Sequence, residues 1–318
     1  MLSLPPGGDT HGVQHPITPR IAVLLTLPPL LWAGNAVVGR LMVGAVPPLT
    51  LNALRWALAL LMLLPFGWRV FRRPSDIYRR AGHLALLGLL GVSSYNALQY
   101  LALQTSAPIN VTLIGSSMPL WTMGIGALFH RVHPTRLQWL GAVLSLAGVL
   151  LVLSRGQAAA LMGLRLVPGD LLMLLAVALW ALYSWMLARP PASMRGGERP
   201  TWGWAEALLV QVMFGVVWAA VGAGVEQAVQ PAAIHWSPGV LLALGYVALG
   251  PSVIAFRCWG IGVATVGPAI TAFFSNLTPL FAALMSAALL GEPPRWYHVV
   301  AFVLIAAGIL VTSRQAKV

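Results

Sequence analysis

The chain has 318 residues, of which 58% are hydrophobic and only 8% are charged, whereas roughly a quarter of the residues in an ordinary soluble domain are charged. So few charged side chains argue against a water-soluble enzyme, because they are too few to cover the surface of a soluble protein of this size. The apolar residues occur in long blocks without the alternating polarity of a transmembrane β-barrel, so the sequence predicts an all-α integral membrane protein.

Ten apolar blocks follow one another along the chain, each close to the roughly 20 residues that an α-helix needs to cross a bilayer. The predicted spans lie near 21–43, 48–66, 82–104, 108–129, 137–154, 169–188, 204–223, 238–258, 267–290 and 296–312. Residues 1–20 are predicted to form a flexible N-terminal tail, 155–168 an outer connecting loop and 313–318 a C-terminal tail.

The net charge of +12 would indicate nucleic acid in a soluble protein, but here the basic residues lie between the apolar blocks. One set of alternate gaps holds Arg20, Arg69, Arg72, Arg73, Arg79, Arg80, Arg131, Arg136, Arg189, Arg195, Arg199, Arg314 and Lys317. The opposite set holds only Arg155, Arg165 and Arg295. The positive-inside rule therefore predicts that both termini are cytoplasmic, and no nucleic acid partner is expected.

The sequence is similar to itself when 105–150 is laid on 265–310 without a gap. The superposed pairs include Thr105 and Thr265, Pro108 and Pro268, Pro119 and Pro279, Pro134 and Pro294, and Gly148 and Gly308. The halves are then 21–154 and 169–312, with five spans each, and an odd number of spans makes the second half cross the membrane in the opposite sense. Inverted repeats of this kind are typical of alternating-access transporters, although a duplication that only built a stable scaffold is the alternative.

Two prolines, Pro119 and Pro279, fall near the middle of the fourth and ninth spans and are predicted helix breaks with a gating role. Because proline has no N–H, the carbonyl groups of Gly115 and Ser275 lose their helical partners. Such backbone is tolerated at membrane depth only inside protein or beside a water-filled cavity. The polar residues predicted to line that cavity and bind substrate are Ser116, Ser117, Ser275 and Asn276. The alternative is that these hydroxyl groups bond to their own helices.

Aromatic and amide residues in three further spans are predicted to complete the substrate site. They are Trp32, Asn35, Tyr95, Asn96, Gln99, Trp180 and Tyr183. Trp32 and Asn35 are spaced i to i+3, as are Trp180 and Tyr183, so each pair shares a helical face. Buried amides need partners, which predicts that they face another helix or water.

Arg55 lies inside the second span, roughly 10 Å from its outer end, and an ionisable residue at that depth indicates function. It is a candidate for binding a substrate carboxylate, or it reaches outward to the interface or bonds to neighbouring carbonyl groups. No Asp or Glu falls near the middle of a span, and the sequence has a single cysteine. We therefore expect no catalytic residues, no metal site and no cofactor.

Several motifs resemble the EamA-type members of the drug/metabolite transporter superfamily. They are Leu30-Leu31-Trp32-Ala33-Gly34-Asn35, Val46-Pro47-Pro48, Leu54-Arg55-Trp56, Gly169-Asp170, Leu179-Trp180-Ala181-Leu182-Tyr183, Leu277-Thr278-Pro279-Leu280 and Leu290-Gly291-Glu292. The resemblance covers 21–314. One departure is that His130-Arg131-Val132 stands where the first repeat of the family usually has a Glu, so no role of that acid transfers to this half.

The resemblance implies ten helices in two inverted five-helix repeats around a central cavity, in a multi-pass protein of the bacterial inner membrane. It also implies a secondary transporter that exports amino acids or other small polar metabolites by alternating access. The expected partners are a small-molecule substrate and the lipid bilayer, with no obligatory protein partner and a monomeric or homodimeric state. The alternatives are an integral membrane enzyme and a lipid or drug efflux path.

Overall fold

The computed structural model describes residues 17–106, 108–157, 161, 166–289 and 295–314, and all regular elements in these ranges are helical. The α-helices are α1 Pro19–Leu41, α2 Pro48–Gly67, α3 Pro74–Tyr78, α4 Ala81–Leu87, α5 Tyr95–Thr105, α6 Pro108–Gly115, α7 Met118–His130, α8 Arg136–Leu153, α9 Pro168–Ala188, α10 Trp204–Val229, α11 Pro238–Val247, α12 Ala255–Phe274, α13 Leu277–Leu289 and α14 Trp296–Ser313. The π-helical segments Gly88–Ser94 and Ala248–Ile254 join α4 to α5 and α11 to α12.

Within the described ranges, 9 helices are long and apolar enough to cross a membrane. The predicted ninth span, 267–290, is divided between two helices. Gly267 bends α12, with φ 85° and ψ 163°, a conformation that glycine adopts readily because it has no side chain. The α12 helix then ends at Phe274, and α13, which is 13 residues long, follows it.

The two predicted helix breaks are turns between consecutive helices. Ser116 and Ser117 separate α6 from α7, and Ser275 and Asn276 separate α12 from α13. Pro119 lies in the first turn of α7, where a missing N–H costs nothing. The Ser275 carbonyl group, predicted to lose its helical partner at Pro279, accepts a hydrogen bond of 2.9 Å from the backbone N–H of Thr278 instead.

Helix packing brings the predicted site residues to the middle of the protein. The α1 helix packs on α12 and α13, α2 packs on α10, and α5 packs on α9. The α8 and α14 helices pack tightly on each other, and Gly141 faces Gly308 at their contact. The largest buried apolar cluster includes Trp56 of α2, Trp180 of α9 and Trp259 of α12, so residues far apart in sequence share one core.

The N-terminus of α2 is capped by a carboxylate from another helix. Glu226 of α10 accepts hydrogen bonds from the backbone N–H groups of Leu49 and Thr50 at 2.8 Å and 2.7 Å, and from the Thr50 hydroxyl group at 2.8 Å. The first N–H groups of a helix have no partner within the helix, and a carboxylate also interacts favourably with the helix dipole. Glu226 therefore ties α10 to the helix that carries Arg55.

Replacing Glu226 with alanine is expected to lower the free energy of unfolding by about 1 to 2 kcal/mol, as for the loss of a helix cap. Unfolding in detergent micelles, followed by tryptophan fluorescence against denaturant, measures the change. The control is Glu198→Gln, which weakens an exposed ion pair with Arg79 and should cost less than about 1 kcal/mol. Equal effects of the two variants would contradict a capping role for Glu226.

Candidate functional site

Arg55 is buried completely, with 0% of its surface exposed, on the inner face of α2. Its Nη1 donates to Asn35 Oδ1 on α1 and to the Tyr100 hydroxyl group on α5, both at 3.2 Å. Its Nε and Nη2 donate to Ser252 Oγ at 3.0 Å and 2.8 Å. One guanidinium group therefore joins α1, α2, α5 and the π-helical segment before α12.

The hydrogen-bond partners of Arg55 among the described residues are all neutral. The recorded ion pairs of the described part of the chain join Arg79 to Glu198 and Arg80 to Asp76, and none involves Arg55. Its positive charge also lies 5.3 Å from the centre of the Trp56 ring, a favourable cation–π arrangement. A buried cation without an anionic partner carries a desolvation penalty that neutral hydrogen bonds offset only in part.

An aromatic cluster with Trp180 at its centre lies in the same core. The Trp180 ring contacts Trp32 at 5.4 Å, Tyr95 at 5.2 Å, Tyr183 at 5.1 Å, Phe256 at 5.2 Å and Trp259 at 5.5 Å between ring centres. The mixed edge and tilted geometries are those that aromatic pairs prefer. The Trp32 indole N–H donates to the Pro251 carbonyl oxygen at 3.2 Å, which ties α1 to the segment that carries Ser252.

Two glycines make room for the aromatic side chains. A Cβ atom on Gly91 would lie 2.6 Å from the Tyr183 ring, and one on Gly34 would lie 2.1 Å from the Tyr246 hydroxyl oxygen. The Tyr183 hydroxyl group accepts a hydrogen bond of 2.9 Å from Gln211 Nε2. Tyr183 is thus held by α10 on one side and by the cluster on the other.

A second group of predicted residues lies where the two helix breaks face each other. Ser116, Pro119 and Asn276 line a small cavity of about 10 Å³ together with Leu120, Ala142 and Leu146. The amide oxygen of Asn276 is buried without a hydrogen-bond partner in the described structure. This cavity is small by comparison with ligand pockets, which hold roughly 300 Å³ or more.

The three predicted serines bond to their own helices. The hydroxyl groups of Ser116, Ser117 and Ser275 donate to the carbonyl oxygens of Thr112, Ile114 and Ala272. This is the alternative that the sequence left open, and it follows because a carbonyl group three or four residues earlier in a helix is always within reach of a hydroxyl group.

The structure thus gathers Trp32, Asn35, Arg55, Tyr95, Trp180 and Tyr183 into one core, with Ser116, Pro119 and Asn276 beside the cavity. Asn96 is buried and Gln99 half-buried on α5, and no hydrogen bond or ring contact in the described residues ties either to these groups. Pro279 is buried in the first turns of α13.

Sequence reasoning missed several residues of this core. They are Asn52, Trp56, Tyr100, Ser252, Phe256 and Trp259. Asn52 was recognisable in principle, because it lies one turn before Arg55 on the same helix face. Ser252 was not, since it is separated from Arg55 by 197 residues and no local pattern marks it.

Comparison with known proteins identifies relatives over nearly the whole chain. The profile of the EamA-like transporter family matches residues 20–154 and again 167–314. The uncharacterized transporter YyaM of Bacillus subtilis is 27% identical over 87% of this chain and 88% of its own length. The uncharacterized inner membrane transporter YedA of Escherichia coli K12 is 27% identical over 83% of this chain and 80% of its own.

A relative with an assigned substrate is the aromatic amino acid exporter YddG of Ancylobacter novellus. It is 25% identical over 86% of this chain and 90% of its own length. A solved crystal structure superposes with a TM-score of 0.70 at 23% identity, covering 94% of this chain and 98% of the other. At that identity the superposition shows a shared fold.

Proposed function

The chain belongs to the EamA-like transporter family and is a membrane transporter, and from this premise we propose that it exports amino acids or other small polar metabolites. The observation that carries the proposal is the buried Arg55, whose bonds join helices of both matched stretches around one aromatic core. A charged residue at such depth in a membrane protein marks a substrate or ion path. The relative named as an aromatic amino acid exporter supports this substrate class.

The proposed architecture has ten spanning helices in two inverted five-helix repeats, 21–154 and 169–312, joined by 155–168. The two family matches, to 20–154 and 167–314, support this division. So does the equivalence of the turns at Ser116 and Asn276, which lie opposite each other across one cavity. In this arrangement α13 and the end of α12 together form the ninth span.

Both termini, including the tails 1–20 and 313–318, are proposed to lie in the cytoplasm, with the protein in the bacterial inner membrane. The excess of Arg and Lys in one set of gaps supports that orientation. A relative is named as an inner membrane transporter, which supports the location. No obligatory protein partner is proposed, and the unit of function is a monomer or a homodimer.

The proposed mechanism is alternating access, driven without ATP, by rocking of the two halves about the core. The Trp32–Trp180 and Trp32–Trp259 contacts join the halves directly and close the centre in the described state. Separation of these rings on one side of the membrane would open a path to Arg55. Pro119 and Pro279, next to the helix breaks, are proposed as the points at which the helices flex.

Counterflow in proteoliposomes tests the proposal. Vesicles loaded with an unlabelled amino acid and diluted into the labelled one should accumulate label, and a panel of amino acids, sugars and drugs identifies the class. Accumulation of a chemically altered product would indicate an integral membrane enzyme, and movement of labelled lipid would indicate a lipid path. Absence of counterflow for every amino acid and small polar metabolite in the panel would overturn the proposal.

Replacing Trp180 with phenylalanine is expected to raise the KM for aromatic amino acids by about three- to tenfold in the same counterflow assay. The smaller ring loses part of its contacts with Trp32 and Trp259. The fold should tolerate the change, because the buried Trp180 indole N–H has no hydrogen-bond partner in the described structure to lose.

The matched control is Trp296→Phe, which changes an exposed tryptophan at the start of α14. Its KM should remain at the wild-type value. An unchanged KM for Trp180→Phe as well would place the aromatic substrate group elsewhere.

A further inference from the structure

One face of α2 carries three buried polar side chains in the core. Asn52, Arg55 and Trp56 are exposed by 1% or less, and spacings of three and four residues place them on the same side of the helix. A membrane helix has no energetic reason to bury amide, guanidinium and indole groups together unless they have partners. Two polar atoms of this face, Asn52 Oδ1 and Trp56 Nε1, have no hydrogen-bond partner in the described residues.

The Asn52 side chain has a free acceptor of defined orientation. Its Nδ2 donates to the Ser93 carbonyl oxygen at 3.1 Å, and this bond assigns the other amide atom as the oxygen. That oxygen, Oδ1, is buried without a hydrogen-bond partner in the described residues. A buried unpartnered acceptor is costly, and a ligand with an N–H donor would satisfy it.

The remaining groups of the face are donors. The indole N–H group of Trp56, like that of Trp180 on α9, is buried without an acceptor in the part of the chain that the structure describes. Arg55 adds a positive charge whose recorded partners are neutral. A carboxylate is the ligand group that fits a guanidinium and an indole N–H, because it carries negative charge and only accepts hydrogen bonds.

The same face continues into the aromatic cluster. The Trp56 and Phe256 rings lie 4.8 Å apart, and Phe256 lies 5.2 Å from Trp180. A ligand whose charged end lies at α2 would therefore place an apolar side chain against Phe256 and Trp180. A ligand that carries a carboxylate, an adjacent ammonium group and an apolar side chain is an α-amino acid.

Resting on the proposed function, we propose that the substrate is a zwitterionic α-amino acid whose carboxylate binds Arg55 and whose ammonium group binds the amide oxygen of Asn52. Arg55 and Asn52 then bind both charged groups of the substrate at once. Compounds that keep the side chain but lack either charge bind the transporter less tightly. Asn52 is then a specificity-determining residue, because it binds the ammonium group.

Competition against counterflow of labelled L-phenylalanine in wild-type proteoliposomes tests this reading. The competitors are unlabelled L-phenylalanine, 3-phenylpropionate, which has no ammonium group, and phenethylamine, which has no carboxylate. Each single-charge analogue should compete at least about tenfold more weakly than L-phenylalanine, since each loses a charge-assisted hydrogen bond. Equal competition by either analogue would overturn the zwitterion site while leaving amino acid export in place.

The Asn52→Leu variant assigns the ammonium contact, with competition by 3-phenylpropionate relative to L-phenylalanine as its readout. The roughly tenfold preference for L-phenylalanine should fall below about threefold, because its ammonium group then has no partner and no longer distinguishes it from 3-phenylpropionate. The matched control is Ser145→Ala on α8, which removes another buried unpartnered oxygen and should keep the full preference. A retained preference in Asn52→Leu would overturn the Asn52 contact. Absence of counterflow for every amino acid in the wild-type protein would overturn the site, and absence for every small polar metabolite as well would overturn the proposed function.

Discussion

Replacing Arg55 with methionine is expected to reduce amino acid transport by at least about 30-fold, while the folded protein remains nearly as stable as the wild type. Loss of one member of a buried charge pair costs about 2 to 5 kcal/mol of binding, and each 1.36 kcal/mol is a factor of ten. The measurement is the initial rate of counterflow, with purified protein quantified in the vesicles.

The Arg55→Met variant should remain stable because the partners of Arg55 keep other hydrogen bonds. The Tyr100 hydroxyl group still donates to Asn35 Oδ1 at 3.3 Å, and Ser252 Oγ still donates to the Val247 carbonyl oxygen at 2.8 Å. None of these partners becomes wholly unpaired, and an apolar chain of similar length replaces a buried charge whose partners in the described residues are all neutral. Removal of the charge also removes its desolvation penalty, so the midpoint of thermal unfolding in detergent should change little.

The control is Arg72→Met, which removes an exposed guanidinium that lies over the Trp68 ring at 4.6 Å and should leave transport unchanged. Wild-type transport by Arg55→Met would show that the guanidinium contacts no substrate. Loss of transport together with a large fall in the unfolding midpoint would show that Arg55 is a structural link between helices.

Replacing Gly308 with leucine is expected to cost more than about 3 kcal/mol of stability, at the upper end of the range for overpacked cores. A Cβ atom on Gly308 would lie 2.7 Å from the Gly141 carbonyl oxygen and 2.2 Å from Ser145 Oγ. The first of these atoms is backbone, so only separation of α8 and α14 makes room. In membranes, small residues at such contacts allow the van der Waals packing that holds helices together.

The experiment compares denaturant unfolding and the monodisperse fraction on size-exclusion chromatography for Gly308→Leu and Gly124→Leu. A Cβ atom on Gly124 meets nothing within 4 Å, so that variant should behave like the wild type. Equal stability of the two variants would mean that α8 and α14 do not meet through Gly141 and Gly308.

Most of the helices were predictable because the signal that defines them is local. The predicted spans 21–43 and 137–154 correspond to α1 Pro19–Leu41 and α8 Arg136–Leu153. In hydrocarbon a helix must satisfy its own backbone hydrogen bonds, so a long apolar block is helical wherever it packs. The predicted span 267–290 is not one helix, because Gly267 and the turn at Ser275–Asn276 interrupt it. The predicted span 108–129 is likewise divided at Ser116–Ser117.

The site was predictable only in part. Trp32, Asn35, Arg55 and Trp180 stood out as polar or aromatic residues in apolar surroundings, and they do lie in one core. The serines at the helix breaks were assigned to a cavity, and Ser116 lines one, but the hydroxyl groups of all three bond to their own helices. Residue type and depth in the membrane do not distinguish a hydroxyl group that binds a ligand from one that bonds to a carbonyl group of its own helix.

Composition and the spacing of charges were enough to predict a membrane environment, helical secondary structure and the candidate site residues, since each depends on neighbours within one helix. The contacts of Arg55 needed the folded chain. Its partners Tyr100 and Ser252 lie 45 and 197 residues away, and the free amide oxygen of Asn52 is recognisable only after Ser93 is seen to occupy the other amide atom. Contacts between membrane helices depend on side-chain shape and hydrogen bonds, because lipid is as apolar as the helix surfaces and gives little hydrophobic drive for one pairing over another.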